Sequence, residues 1–157
     1  MKKAGGFSIF ELLVVIAIIA VVSAIVTPNI ISWRSGAKLR GAAENLKGDL
    51  EMAKLRAVRE NAFVAIRFFV VENRYDVFVD NGENPADWNL DPDEKRLRTR
   101  KLPAGVKIVS TTFTNDHTRF SGRGRADNGT AVLVNTKGEQ RDVIISPLGR
   151  ISVNRIN

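Results

Sequence analysis

The chain has 157 residues, with 24 basic and 17 acidic side chains, a formal net charge of +7 and no cysteine. Without cysteine it has neither a disulfide nor a thiolate metal site, so its folded part must be held by packing alone. Once an apolar segment of about thirty residues at the start is set aside, the length suits one compact domain with a modest core.

The first predicted element is an apolar helix that begins near Phe7. No charged side chain occurs from Leu12 to Val26, and the segment follows the basic residues Lys2 and Lys3. A helix of this length spans about 30 Å, which matches the hydrocarbon core of a bilayer. Glu11 lies in its first turns, where the positive end of the helix dipole offsets part of the cost of a carboxylate in lipid. The segment predicts a membrane-spanning helix with a functional carboxylate near its start.

The residues around this carboxylate resemble the type IV prepilin signature. That signature is a short basic leader ending in Gly, then Phe, with Glu at the fifth mature position; here it reads Lys-Lys-Ala-Gly-Gly and then Phe-Ser-Ile-Phe-Glu, ending at Glu11. The resemblance implies that a prepilin peptidase cleaves after Gly6 and methylates Phe7. It also implies that Glu11 pairs with the amino terminus of a neighbouring subunit. The implied location is the bacterial inner membrane, crossed once, with the globular domain in the periplasm.

Two other interpretations of this segment stay open. An ordinary secretory signal peptide also has a basic start and an apolar core, and Val22-Ser23-Ala24 resembles its cleavage site. That interpretation leaves Glu11 and the Gly-Gly-Phe junction unexplained. A plain membrane anchor carrying an unrelated sheet domain is the second, and it predicts no prepilin processing.

The helix is expected to continue beyond Pro28, where the missing backbone donor predicts a kink. From Leu39 onward, small and apolar residues recur at steps of four and three, while most charged residues, Asp49 among them, fall off this stripe. The pattern predicts an amphipathic helix that ends near Glu60 and covers a sheet, with a short coiled-coil seam as the alternative. The predicted stripe consists of Leu39, Ala43, Leu46, Leu50, Ala53 and Ala57.

After Asn61 the pattern changes to short strands. Two runs rich in Val, Ile and aromatic residues, Ala62 to Val71 and Tyr75 to Asp80, flank a turn and predict a hairpin. Residues 81–94 are polar and acidic, but they lack the spacing of a calcium loop, so a solvated loop is favoured over a cation site. The remaining strands are expected to form a meander: Arg98–Leu102, Val106–Thr112, Thr118–Ser121, Ala131–Asn135, Arg141–Ile145 and Arg150–Asn154.

The predicted fold class is α+β and pilin-like, with a long hydrophobic amino-terminal helix packed on a globular antiparallel β-sheet domain. Residues 1–6 are the leader and residues 7–31 the transmembrane or filament-core half of the helix. Residues 32–61 are its amphipathic half, and residues 62–157 are the periplasmic β-rich domain.

Three loose motifs in the strand region resemble the GspH/FimT type of minor pseudopilin and minor pilin. They are Leu-Pro-Ala-Gly-Val ending at Val106, Phe-Ser-Gly ending at Gly122, and Ser-Pro-Leu-Gly-Arg-Ile ending at Ile151. The resemblance implies a subunit of a type II secretion pseudopilus that supports protein secretion. Its implied partners are the prepilin peptidase, other pilins or pseudopilins and the inner membrane, with no cofactor, metal or small-molecule substrate. No enzyme motif is recognisable, and the only histidine, His117, lies in a polar stretch.

A second function, DNA binding by a minor pilin for uptake, is suggested by the carboxy-terminal charge. Residues 97–157 carry 11 basic and 4 acidic side chains, and a basic surface attracts phosphates. Some FimT-like pilins use a Gly-Arg-x-Arg stretch on DNA. The candidate residues here are Arg123 and Arg125, in Gly-Arg-Gly-Arg, and Arg150, in Gly-Arg-Ile-Ser. A solubilising basic surface is the competing interpretation.

Overall fold

The computed structural model describes residues 8–80, 90 and 94–156, and only the backbone over residues 25–32. The chain divides into two compact units, residues 1–34 and residues 35–157. The elements in chain order are α1 (Ile9–Glu60), β1 (Phe63–Phe69), β2 (Arg74–Asp80), β3 (Arg96–Lys101), β4 (Val106–Thr111), a short 3₁₀ turn (Thr114–Asp116), β5 (His117–Phe120), β6 (Gly129–Asn135), β7 (Gln140–Ile145) and β8 (Ile151–Ile156).

Helix α1 ends at Glu60, as the sequence predicts, and the next residue explains why. Asn61 adopts a left-handed conformation with φ of 46°. Its N–H donates to the Val58 carbonyl at 3.4 Å, and the Ala62 N–H donates to the Ala57 carbonyl at 3.1 Å. These two bonds form the Schellman pattern, which satisfies the last carbonyls of a helix and turns the chain away from its axis.

The strands form two antiparallel sheets of four. Sheet A has the order β3-β2-β1-β5, and sheet B has the order β4-β6-β7-β8. The predicted hairpin of β1 and β2 is confirmed, with Phe63 opposite Asp80 and Phe69 opposite Arg74. Its turn closes at Asn73, which has φ of 51°.

The prediction of one meander is wrong. β3 and β4 follow each other in the chain but lie in different sheets, and β5 returns to the free edge of β1. Pro103 lacks a backbone N–H and cannot extend the ladder of β3. The turn that follows Pro103 is instead bonded to sheet B: the N–H of Thr136, just after β6, donates to the Gly105 carbonyl at 3.1 Å.

The core of the second unit lies between α1 and the two sheets. All six residues of the predicted apolar stripe are at most 2 % exposed, which confirms that face of the helix. Ala43, Ala53 and Ala57 are fully buried, and their small side chains let the helix approach the sheets closely. They belong to one cluster with residues of both sheets, including Ile66 and Leu133.

Candidate functional site

The start of α1 presents Glu11 in its first turn. Ser8 precedes the helix, and its hydroxyl oxygen accepts a hydrogen bond from the Phe10 N–H at 3.3 Å. Ser8 and Glu11 have the spacing of a capping box, a signal that is visible in the sequence but was not among the predicted features. Gly6 and Phe7, the predicted processing residues, lie outside the described residues. The assembly role of Glu11 stays a prediction.

The helix that follows Glu11 is apolar and exposed on many sides in the isolated chain. Phe10 is 75 % exposed, Leu13 is 60 % exposed and Ile19 is 58 % exposed. An apolar surface of this extent is typical of a segment that lipid or protein covers. In the described part of the chain, no helical stretch combines the length and apolarity needed to cross a membrane.

Pro28 lies inside α1, in the part where only the backbone is described. The predicted kink at Pro28 is therefore still a prediction. The same holds for the functional boundaries proposed at residues 6, 31 and 61.

The three candidate arginines lie on two turns of the same build. Ser121–Arg125 and Ser146–Arg150 both read Ser-x-x-Gly-Arg. In each turn the Ser N–H donates to the Arg carbonyl at 2.9 Å, and the Gly N–H donates to the Ser carbonyl at 2.8 Å. The glycines, Gly124 and Gly149, have φ of +72° and +70°, in the left-handed region that glycine adopts without strain.

The two turns pack against each other beside α1. Gly149 lies so close to the carbonyl oxygen of Gly124 that a Cβ there would overlap it. The Ala126 N–H donates to the Pro147 carbonyl at 3.3 Å, and the Lys54 ammonium donates to the Gly149 carbonyl at 2.9 Å. We name this pair, residues 121–126 and 146–150, the twin turns. The fold thus brings both Gly-Arg stretches of the sequence to one place.

Arg123, Arg125 and Arg150 are exposed on the twin turns. A shallow cavity of about 230 Å³ lies beside the first turn, with Arg125, Arg119 and Phe63 in its wall. The Arg119 guanidinium lies over the Phe63 ring, 4.7 Å from its centroid. It also lies 3.5 Å from the Asp127 carboxylate. The surface is basic overall, so it is suited to an anion.

A buried carboxylate links α1 to sheet A, although the sequence pattern predicts it on the exposed face of the helix. Asp49 was expected off the buried face, but it is only 6 % exposed. Its carboxylate accepts hydrogen bonds from the Tyr75 hydroxyl at 2.7 Å and from Arg100 Nε at 2.8 Å. Arg98 Nη1 lies 3.4 Å away. In the sequence, the only sign of this buried link is a carboxylate next to the predicted apolar stripe. Its partners on β2 and β3 become visible only in the tertiary structure.

These contacts change the acid–base behaviour of two of the partners. Burial, reinforced by the hydrogen bond to Asp49, raises the pKa of Tyr75 far above its ordinary value. The hydrogen bond to Asp49 raises the pKa of Arg100, so that its guanidinium stays charged. At neutral pH the Tyr75 hydroxyl therefore stays protonated and the Arg100 guanidinium stays charged, which suits a structural link.

The described residues contain no cluster of His, Asp or Glu side chains arranged to hold a metal ion. Most of the acidic segment 81–94 lies outside the described residues, so its prediction as a solvated loop stays untested. Asp116, beside His117, lies in the 3₁₀ turn Thr114–Asp116, and its carboxylate accepts a hydrogen bond from the Thr111 hydroxyl at 2.5 Å.

The chain has an apolar helix with a carboxylate in its first turn. The second half of this helix is amphipathic and packs on antiparallel sheets. This arrangement defines a pilin-like subunit. The family comparisons agree with that class. The prokaryotic N-terminal methylation motif matches residues 1–27, and the family described as type II transport protein GspH matches residues 42–149. The chain belongs to the GspH family, and it is a minor pseudopilin or minor pilin.

Solved structures with this fold share little sequence with the chain. The minor pseudopilin EpsH from the type 2 secretion system of Vibrio cholerae is 13 % identical, with a TM-score of 0.61 over 75 % of this chain and 97 % of that one. The type IV minor pilin FimU of Pseudomonas aeruginosa is 20 % identical, with a TM-score of 0.59 over 78 % and 92 %. Escherichia coli GspH is 16 % identical, with a TM-score of 0.58 over 76 % and 89 %. No curated protein sequence matches the chain.

Proposed function

We propose that the chain is a minor pseudopilin of a type II secretion pseudopilus, assembled through its amino-terminal helix and supporting protein secretion. The observation that carries the proposal is the presence in one chain of the methylation motif, over residues 1–27, and the GspH region, over residues 42–149. Residues 7–31 are the part that enters the filament core, and residues 62–157 are the part exposed in the periplasm. Before assembly, the subunit is anchored in the inner membrane.

Glu11 has a specific role in this proposal. Helix–helix association in lipid has no hydrophobic driving force, because the apolar side chains exchange lipid for similar neighbours. A carboxylate paired with the amino terminus of an adjacent subunit supplies both a favourable contact and a fixed register. The chain contributes packing surface to the filament, and it performs no chemistry on the secreted protein.

The test is complementation of a deletion of the gene in its native bacterium. Wild type is expected to restore the secreted proteins to the medium, whereas Glu11→Ala is expected to leave them in the periplasm, with the subunit itself still processed and stable. Leu55→Ala, a change at a side chain 71 % exposed on α1, serves as the control for a mild surface alteration. Normal secretion by the deletion strain would refute the proposal.

A second candidate function is DNA binding for uptake, and the twin turns are the observation that favours it. They place Arg123, Arg125 and Arg150 on neighbouring exposed turns. Binding that rests on phosphate contacts weakens steeply with salt, and each lost contact flattens the slope of log affinity against log salt by about 0.7 to 0.9. We expect a flatter slope for Arg123→Ala with Arg125→Ala than for wild type. No binding at low salt would remove this candidate.

A further inference from the structure

Strand β3 differs in charge from the other edge strands of the molecule. It reads Arg-Leu-Arg-Thr-Arg-Lys, so four of its six residues are cations. The other edge strands, β4, β5 and β8, carry one Lys or Arg each. A single cation on an edge strand is one of the devices that keep edges from aggregating, so protection of the edge leaves the other three cations of β3 unexplained. Their concentration on β3 calls for another explanation.

The outer edge of β3 is open for pairing among the described residues, where the strand pairs only with β2. The Leu102 N–H, just after the strand, donates to the Asn73 carbonyl on the β2 side at 2.9 Å. Backbone groups in an antiparallel pair alternate in direction, so Thr99 and Lys101 direct their N–H and C=O groups away from β2. Both residues are exposed.

The cations of β3 divide into two sets. Arg98 and Arg100 point toward α1, and Asp49 holds both of them, at 3.4 Å and 2.8 Å. Arg96 and Lys101 are exposed, and neither has an ion-pair or hydrogen-bond partner for its side chain in the described part of the chain. The first set fixes the strand to the helix, and the second leaves positive charge beside the open backbone edge.

We propose that the β3 edge is a docking site for an extended acidic segment of a partner polypeptide, which adds to sheet A as a fifth strand. Main-chain hydrogen bonds to Thr99 and Lys101 supply affinity, and the acidic side chains of the partner meet Arg96 and Lys101. A second copy of β3 is excluded as the occupant, because the cations of the two strands would face one another. This inference does not depend on the proposed role in secretion.

The test uses the full chain in micelles of an uncharged detergent and a short fluorescein-labelled peptide in which Glu and Thr alternate. Fluorescence anisotropy is expected to show binding that weakens with salt, and the same peptide with Gln in place of Glu is expected to bind at least about tenfold more weakly. No binding of the acidic peptide at low salt would overturn the proposal.

Two pairs of variants locate the site. Arg96→Glu with Lys101→Glu is expected to weaken the acidic peptide by at least about tenfold, whereas Lys107→Glu with Arg155→Glu, an equal charge change at exposed residues of sheet B, has little effect. Thr99→Pro removes one outward N–H without changing charge and is expected to weaken binding about tenfold, whereas Thr99→Ala leaves it unchanged.

If both double variants lost the same amount of peptide affinity, only the overall electrostatic field of the protein would attract the peptide, and the proposal would be overturned. Unchanged binding in Thr99→Pro would overturn strand addition. Single-stranded DNA of matched charge is the remaining competitor: if it displaced the peptide and bound more tightly, the edge would be a phosphate-binding surface and the proposal would fail.

Discussion

At the residue scale, Asp49 shows how a charged side chain serves inside a helix–sheet interface. Burying a lone carboxylate is costly, but here a phenol and two guanidinium groups satisfy it. Removing the carboxylate leaves the Tyr75 hydroxyl buried without its acceptor. We expect Asp49→Ala to lower the free energy of unfolding by about 2 to 4 kcal/mol, because both the hydrogen bonds and the charge balance are lost. Urea unfolding of the full chain measures this loss, and a change below the experimental error would show that the cluster is not a structural link.

The raised pKa of Tyr75 makes the stability of the protein depend on alkaline pH. The tyrosine of the unfolded chain ionises at about pH 10, and that of the folded chain ionises only at a higher pH. The contribution of the neutral Tyr75 hydroxyl to the free energy of unfolding is therefore fully present below about pH 10 and is lost as the pH rises above it. Tyr75 is the only tyrosine in the sequence, so tyrosinate absorbance reports on it alone.

We expect the midpoint for the folded protein to lie well above 10, and Asp49→Asn to bring it closer to the ordinary value. Tyr75→Phe is the matched control: its stability should fall less than that of wild type between neutral and alkaline pH. A folded-state midpoint at the ordinary value would contradict the buried hydrogen bond.

At the element scale, the twin turns depend on two glycines that no other residue replaces easily. At Gly149 both the positive φ and the nearby Gly124 carbonyl oppose a Cβ. Gly138 has a similar φ of +81° but no atom within 4 Å of the Cβ position. The pair therefore separates backbone strain from steric overlap.

We expect Gly149→Ala to lower the free energy of unfolding by about 2 to 4 kcal/mol and Gly138→Ala by about 1 kcal/mol, since only the first must also separate the two turns. Urea unfolding of both variants tests this difference. Equal losses would show that the turns are not packed as described.

At the scale of the whole molecule, the family and the leader motif together predict that the mature chain is shorter than the encoded one. With a prepilin peptidase present, the intact mass is expected to correspond to a chain that starts at Phe7 with one added methyl group. Gly6→Ala is expected to abolish this change, because the leader signature that the chain resembles ends in Gly at the cleavage position. Mass spectrometry and amino-terminal sequencing of the membrane-extracted protein make the measurement.

The outcome separates the alternatives that the sequence left open. A mature chain starting after Ala24 would indicate an ordinary signal peptide, and an unprocessed chain would indicate a plain anchor. In either case the pilin-type role of Glu11 would be withdrawn, whereas the fold of residues 35–157 and the predictions for Asp49 and Gly149 would be unaffected.

Features that depend on local patterns follow from the amino-acid sequence alone. The helical stripe from Leu39 to Ala57, the helix end at Glu60 and the first hairpin follow from periodicity and turn residues, which act over a few positions. The leader motif likewise depends on contiguous residues, and the N-terminal methylation motif matches it over residues 1–27.

Three features depend on tertiary packing: which strands share a sheet, which groups bind the Asp49 carboxylate, and how the two Ser-x-x-Gly-Arg turns meet. Each of these joins residues far apart in the chain, and several pairings of short, similar strands satisfy the same local pattern. The choice among them is made by the packing of α1 against both sheets at once, a property of the whole domain that no short stretch of sequence contains.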